Sequence, residues 1–457
     1  MHPGIATRSR ACLAAFAALA VILGGFGCES DSAGQARPAS LRGVTIQDSA
    51  GVEIVDNQAP ERSHGGFWSL SAEPEFVLGG DEHGLAWEEE WGDDRTRDEL
   101  AALIFEVRGV ARLADRRIAV LSAGVHQVLV FELSGRLSRA IGGRGAGPGE
   151  FIRPEHMQYL PPDTLAVWDH WMGPVSYFDT TGTLLTEQPI DRSRTLASLP
   201  DATAESRTTP LPDGSFVVAV EHREPDFTRP PDGTVFRYPP VEFSRIDPAT
   251  YTPVPLGTWD GPEMWAVPER VRGGDQLPDM ANPGMVLDSH IAVGGDPPMV
   301  YISNGDRNEI LQYALDGTLV RSIRRSADPL AVTARADRAR KQYLAALAES
   351  LGQSSVAAFS RALPRRDTYP AVAALVVDTE GHLWVREWSA SETGMPDQWS
   401  VFGAEGRWLG VLEGLTDPWL CVAAMAPCWI DRDMFVITRF DELGRERLEG
   451  YRIRREG

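Results

Sequence analysis

The chain has 457 residues, 43% of them hydrophobic and 24% charged. That balance fits a folded protein with a large core and excludes a disordered one. Its 65 acidic and 44 basic residues leave a net charge of -21, a field that repels phosphate backbones and anionic lipid surfaces and so excludes nucleic acid as an expected partner.

Residues 1–27 read as an export signal. Arg8 and Arg10 give a positive start, an apolar stretch runs from Ala11 to Leu23, and Gly24, Gly25 and Gly27 precede Cys28. The apolar stretch is too short for a comfortable membrane span. Gly25-Phe26-Gly27-Cys28 resembles a bacterial lipobox, which implies a lipid on Cys28 after cleavage. Removing the leader takes Arg8 and Arg10 away, leaves 42 basic residues against 65 acidic ones, and moves the net charge to -23. Residues 28–43, rich in Gly, Ser, Ala and Pro, read as a flexible tether. Cys12 lies in the leader, so Cys421 and Cys428 are the cysteines left to the folded part. In an oxidising exported compartment a disulfide between them is expected, the alternative being two buried free thiols.

Beyond the tether, Val44 to Val55 and Phe67 to Leu78 read as strands, and the acidic run Asp81 to Asp98, with Trp87 and Trp91, as a solvated loop. A repeat then begins. Residues 118–137, 165–184 and 300–319 each read as strand, polar turn, strand, and then an aromatic residue four positions before a glycine. The aromatics are Phe131, Phe178 and Tyr313, and the glycines Gly135, Gly182 and Gly317 each precede a leucine by two residues. A fourth copy runs from Leu383 to Phe402 and Gly406 with a longer hairpin loop. Two weaker copies are Leu211 to Val220, paired with Val241 to Ile246, and Met434 to Arg454. Gly135 and Gly182 lie 47 residues apart, the spacing of a four-stranded blade.

The repeat count predicts an all-β protein, a six-bladed β-propeller over residues 44–457. The last hairpin lacks an outer strand, which Val44 to Val55 and Phe67 to Leu78 are placed to supply, closing the ring. One stretch, about 333–363, is helical. Thr333 is a good N-cap for Ala334 to Leu351, with Tyr343, Leu344, Leu347 and Leu351 on one side, and a second helix spans Ser355 to Leu363 before Pro364.

Gly142-Gly-Arg-Gly145-Ala-Gly147-Pro-Gly149-Glu-Phe151-Ile-Arg-Pro154 resembles the linker of NHL-repeat propellers, and the mature chain resembles the six-bladed propeller lipoproteins of environmental bacteria. The resemblance implies fold and location more than activity, since relatives on this scaffold include protein- and RNA-binding modules, an amidating lyase, and the regucalcin and gluconolactonase enzymes. The glycine run itself lacks the Lys-Ser/Thr of a phosphate-binding loop and the G-x-G-x-x-G spacing.

Chemistry on a propeller gathers at inner-strand ends around the central channel. There the sequence places Asp169, His170 and Trp171, Asn304 and Asp306, Arg386, Glu387 and Trp388, and Arg439 and Asp441, with His156 beside them. A regucalcin-type lactonase would need carboxylate and amide oxygens converging on calcium or another divalent cation, and Asp169, Asn304 and Glu387 have that chemistry. The histidines do not recur at one repeat position, and there is no G-x-S-x-G elbow. The expectation is therefore an exported, lipid-anchored monomer acting as a non-catalytic binding module at the cell envelope. It would take an envelope protein or a small-molecule or glycan ligand, touch the membrane through its lipid alone, and require no cofactor. A metal-dependent hydrolase or lactonase is the alternative.

Overall fold

The computed structural model describes residues 40–41, 43–62, 67–79, 104–169, 173–199, 204–221, 228–272, 278–350, 354–412, 428–440 and 446–455. The leader, Cys28, most of the tether, the Asp81 to Asp98 loop, His170, Trp171, Cys421 and Asp441 lie outside them.

The described strands form six antiparallel blades in a ring. Blade 1 is Val107–Arg112, Ile118–Ser122, Gln127–Phe131 and Leu137–Ile141; blade 2 is Pro154–Leu160, Thr164–Asp169, Val175–Asp179 and Leu184–Gln188. Blade 3 is Ala204–Pro210, Phe216–Glu221, Val241–Ile246 and Pro253–Trp259; blade 4 is His290–Gly294, Met299–Ser303, Glu309–Ala314 and Leu319–Arg325. Blade 5 is Ala374–Val377, Leu383–Glu387, Gln398–Phe402 and Trp408–Leu412; blade 6 is Trp429–Ile430, Met434–Phe440 and Glu446–Arg454. First strands line the centre, where those of blades 1 and 2 and of blades 4 and 5 touch.

The recurring aromatic and glycine explain the outer hairpin of each well-formed blade. Gly135, Gly182, Gly317 and Gly406 all have φ between 79° and 88°, which a residue with a side chain adopts only at a cost. Each closes a tight turn; in blade 1 Gly135 N–H donates to Glu132 C=O at 2.9 Å and Glu132 N–H to Arg136 C=O at 3.0 Å. The aromatic just before the turn sits at a β-bulge in all four hairpins. The extra twist turns Phe131, Phe178, Tyr313 and Phe402 into the interior.

Second strands have apolar residues on both faces because both faces are covered. Along Ile118–Ser122, Ile118 and Val120 enter the apolar cluster shared with blade 6, while Ala119 and Leu121 enter the one shared with blade 2. Phe216–Glu221 does the same, with Phe216, Val218 and Val220 toward blade 2 and Val217 and Ala219 toward blade 4. Six such clusters occupy the six blade interfaces. At about 1.5–3 kcal/mol per fully buried large aliphatic or aromatic side chain, these clusters are the dominant favourable term.

The two N-terminal segments go to different blades. Phe76–Gly79 is the outer strand of blade 6, paired antiparallel with the last strand of the chain from Gly450↔Phe76 to Arg447↔Gly79. Ser69–Leu70 pairs with Ile453 and Arg454. The hairpin Val44–Ser49 and Val52–Asn57 instead extends blade 4, with Val52–Asn57 parallel to Leu319–Arg325. Asn57 explains this choice. Its buried side-chain amide donates to Arg324 C=O and Gly406 C=O, both at 3.0 Å, and accepts from Trp408 N–H at 2.8 Å, tying the hairpin to blades 4 and 5 together.

The helical insertion lies between blades 4 and 5 as Ala334–Ser350 and Ser354–Ala362, with Thr333 Oγ1 accepting from Ala336 N–H at 3.0 Å as the N-cap. Leu344 of the expected side packs against the cluster of Trp265, Val267 and Leu363, but much of the buried face is made of other residues. Ala336, Arg340, Ala345 and Ala348 are buried, whereas Tyr343 is 40% exposed. Small side chains let the second helix approach closely through Ala357. A three-stranded sheet, Val235–Arg237, Glu263–Ala266 and Met280–Ala281, packs against this pair, with Trp265 and Phe359 ring centroids 5.5 Å apart.

Closure by the N-terminal strand predicts a sharp contrast between neighbours. Leu78 is 2% exposed inside the blade 6–blade 1 cluster and Val77 is 46% exposed. In urea unfolding Leu78→Ala should cost about 2–5 kcal/mol, and Val77→Ala less than about 0.5 kcal/mol. Equal losses would contradict the pairing.

Candidate functional site

In an antiparallel blade, the turn joining the second and third strands lies at the same end as the connection to the next blade. Asp169, Asn304, Asp306, Glu387, Trp388 and Arg439 all sit at or beside such turns, so they share one face of the ring with the helical insertion and the small sheet. Sharing a face does not bring them to one point.

Asp169, 5% exposed, is a backbone cap. Its carboxylate accepts from Ile152 N–H at 2.7 Å and Arg153 N–H at 2.6 Å, which fixes the end of the glycine linker over blade 2. Phe151, fully buried between blades 1 and 2, anchors that linker from below.

Glu387 is buried in blade 5 and bound to Arg325 of blade 4 at 2.7 Å, to Ser400 Oγ at 3.0 Å and to Gln398 Nε2 at 3.3 Å. Burial raises its pKa although Arg325 and these donors pull the other way. The Arg325 guanidinium stacks 4.9 Å from the Trp408 ring and donates to Asn308 Oδ1 at 3.0 Å. Removing one partner of such a pair leaves an uncompensated buried charge, worth about 3–5 kcal/mol.

Arg386, 2% exposed, donates to Pro396 C=O at 2.9 Å beside the Trp399 ring. Trp388 stacks on Tyr369 at 5.6 Å in a small cluster with Met285 and Val332. Arg439 pairs with Glu449 at 2.5 Å within blade 6.

Each of the three proposed metal ligands is engaged within the protein. Asp169, Asn304 and Glu387 belong to blades 2, 4 and 5, each with its own partner. Among the described residues no group of three or more His, Cys, Asp or Glu side chains is gathered to hold a metal ion.

Asn304 and Asp306 do come together. They line a cleft of about 260 Å³ between blades 3 and 4, with Trp259 and Tyr313 at its base. The two rings meet edge to face at 6.4 Å. Asn304 Oδ1 accepts from Asp260 N–H at 3.2 Å, which orients its amide. Arg307, 70% exposed, lies 3.5 Å from Asp306 and 3.9 Å from Glu309, and Glu309 also pairs with Arg324 at 2.8 Å. Sequence reasoning missed the cleft's far wall. Trp259 ends the outer strand of blade 3, and only the ring brings it beside the turn of blade 4.

His156 stands on the inner strand of blade 2, opposite Trp168. Burial, helped by the Arg108 guanidinium on the next inner strand, lowers its pKa from 6.5 to about 4. The imidazole is therefore neutral at pH 7. At the other end of the ring, across the blade 1–blade 6 seam, Arg112 bridges Asp431 and Asp433 at 2.5 Å each, and burial raises Asp431 to about 6.

The His156 shift predicts a pH effect. The folded-state pKa lies below that of the unfolded chain, so between about pH 6.5 and 4 the unfolded state binds a proton that the folded state does not, and stability falls as pH falls through that window. The loss is at most about 3 kcal/mol. His156→Gln should remove this component while leaving that of Asp431, which has the opposite sign. Wild type and variant losing stability in parallel between pH 7 and 4 would refute the assignment.

No curated protein matches the chain. Among solved structures, a member of the DUF4221 family from Bacteroides vulgatus is similar at 9% identity, covering 85% of this chain and 99% of that one with a TM-score of 0.45. A gluconolactonase from Xanthomonas campestris is similar at 14% identity, with coverage of 86% and 100% and a TM-score of 0.36. Regucalcin, a calcium-binding protein from Agrobacterium tumefaciens, is similar at 12% identity, with coverage of 78% and 93% and a TM-score of 0.34. Residues 96–200 match the DUF5128 family model, described as a six-bladed β-propeller, which is the fold this chain has.

Proposed function

We propose that the chain is exported, held at the cell envelope by a lipid on Cys28, and acts as a non-catalytic ligand- or protein-binding module. The supporting observation is how the candidate polar side chains are used. Asp169 and Glu387 direct their oxygens to backbone N–H groups, a guanidinium and a hydroxyl within the ring. A general base needs a lone pair within reach of a substrate proton, and these carboxylates offer theirs inward. Among the described residues, an open feature on the same face is the Asn304–Asp306 cleft, lined by polar side chains. The leader and the glycine-rich approach to Cys28 support export and lipidation. No helix among the described residues is long and apolar enough to cross a membrane.

The rival reading is a calcium-dependent lactonase built on Asp169, Asn304 and Glu387. The two separate in a thermal melt of the purified mature chain. A metal site filled to 100 times its dissociation constant would add about 2.7 kcal/mol and raise the melting temperature. The binding-module reading expects no calcium-dependent rise and no lactone hydrolysis. A rise abolished by Asp169→Asn, together with calcium-dependent hydrolysis, would establish the enzyme instead.

Mass spectrometry of the protein from the envelope of a Gram-negative host should find a diacylated N-terminal Cys28 peptide, lost in Cys28→Ser. The non-reduced digest should contain Cys421 joined to Cys428. An unmodified Cys28 terminus, or alkylatable thiols at 421 and 428, would overturn the respective part.

A further inference from the structure

We infer that the cleft between blades 3 and 4 binds an uncharged saccharide. The inference rests on the binding-module reading and names the class of ligand for its groove. At about 260 Å³ the cleft is smaller than the pockets that enclose drug-sized ligands, which begin near 300 Å³. It has room for a short sugar.

Charge argues for a neutral ligand. Asp306, Glu309 and Arg307 line the cleft, Arg307 lies 3.5 and 3.9 Å from the two carboxylates, and Arg324 from outside it pairs with Glu309 at 2.8 Å, so these four charges sum to zero in a protein whose overall charge is -21. An anion would meet the repulsion of the whole molecule, and a cation would have to displace Arg307.

Hydrogen-bonding capacity argues for a polyol. With Asn304 Oδ1 already accepting from Asp260 N–H, the Asn304 amide nitrogen remains as a donor toward the cleft. Next to it stand the Asp306 carboxylate, an acceptor with two oxygens, and the exposed Arg307 guanidinium, a forked donor. Adjacent hydroxyls each donate and accept, so neighbouring hydroxyls on a sugar ring fit a carboxylate on one side and a guanidinium on the other, both bidentate.

The back wall of the cleft is formed by Gly257 and the edges of Trp259 and Tyr313. Gly257 has φ of 102° and no side chain, and a Cβ there would stand 3.5 Å from Trp259 Nε1 and 3.7 Å from Tyr313 Oη. Both rings belong to the core, 7% and 8% exposed, and the Trp259 indole N–H already donates to Leu256 C=O at 3.3 Å, so they close the cleft from behind.

The test uses the purified mature chain on an array of neutral and uronic-acid saccharides, followed by calorimetric titration with the neutral saccharide that binds best. Asp306→Ala and Arg307→Ala change exposed groups and should leave the melting temperature within 2 °C of wild type. Each is expected to weaken binding at least tenfold. Tyr313→Phe, which keeps the ring and removes the hydroxyl, should weaken it less than either. No neutral saccharide bound, binding confined to the uronic acids, or affinity unchanged in both variants would overturn the inference. None of those three results produces catalysis or a calcium-dependent melt, so each leaves the binding-module reading standing; lactone hydrolysis would remove that reading first.

Discussion

The rest of the structure depends on one constraint: every blade needs apolar neighbours on both faces. Ile118–Ser122 and Phe216–Glu221 show the consequence, since alternate residues of each strand enter different inter-blade clusters. An open row of such sheets would expose a hydrophobic face at each end. Closing it into a ring removes both ends, and the junction of blade 6 with blade 1 is as apolar as any other, with Met434, Val436 and Leu448 against Ile118, Val120 and Leu129. The outer strand Phe76–Gly79 then makes blade 6 a full sheet and adds Phe76 and Leu78 to the same cluster.

Polar groups follow from that arrangement. Once six sheets are packed face to face, charged side chains near the junctions need partners from the next blade. Arg325 reaches Glu387 across blades 4 and 5, and Arg112 reaches Asp431 and Asp433 across blades 6 and 1. Asn57 performs the same service without charge, joining the N-terminal hairpin to two blades through one buried amide. In the cleft between blades 3 and 4 the Arg307 side chain is 70% exposed, while Asp306 and Glu309 are half-buried beside it. Its polar side chains line open space as well as contacting one another.

Much of the fold was legible because the repeat encodes its own geometry. An aromatic four residues before a glycine fixes a bulge and a positive-φ turn, and four blades show it. Val241–Ile246 paired with Phe216–Glu221 as read, despite the intervening loop. The small sheet on the helical pair went unseen because its strands are two to four residues long and draw on two separate connections. Of the helix face that was expected, Leu344 packs as read and Tyr343 does not, while the small residues Ala345 and Ala348, where the second helix sits close, carried no large-residue signal. Asp169 and Glu387 had the right chemistry and position for a site. Their partners, two backbone N–H groups 16 and 17 residues earlier and an arginine 62 residues earlier, left no local signature.

Ring closure by the N-terminal strand is the claim on which the account turns, and native-state hydrogen exchange measures it most directly. If Phe76–Gly79 completes blade 6, its ladder amides and those of Glu446–Arg454 exchange as slowly as the amides of Ile118–Ser122, all through one global opening. Exchange of Phe76–Gly79 at the rate of an exposed loop, with Ile118–Ser122 still protected, would contradict it.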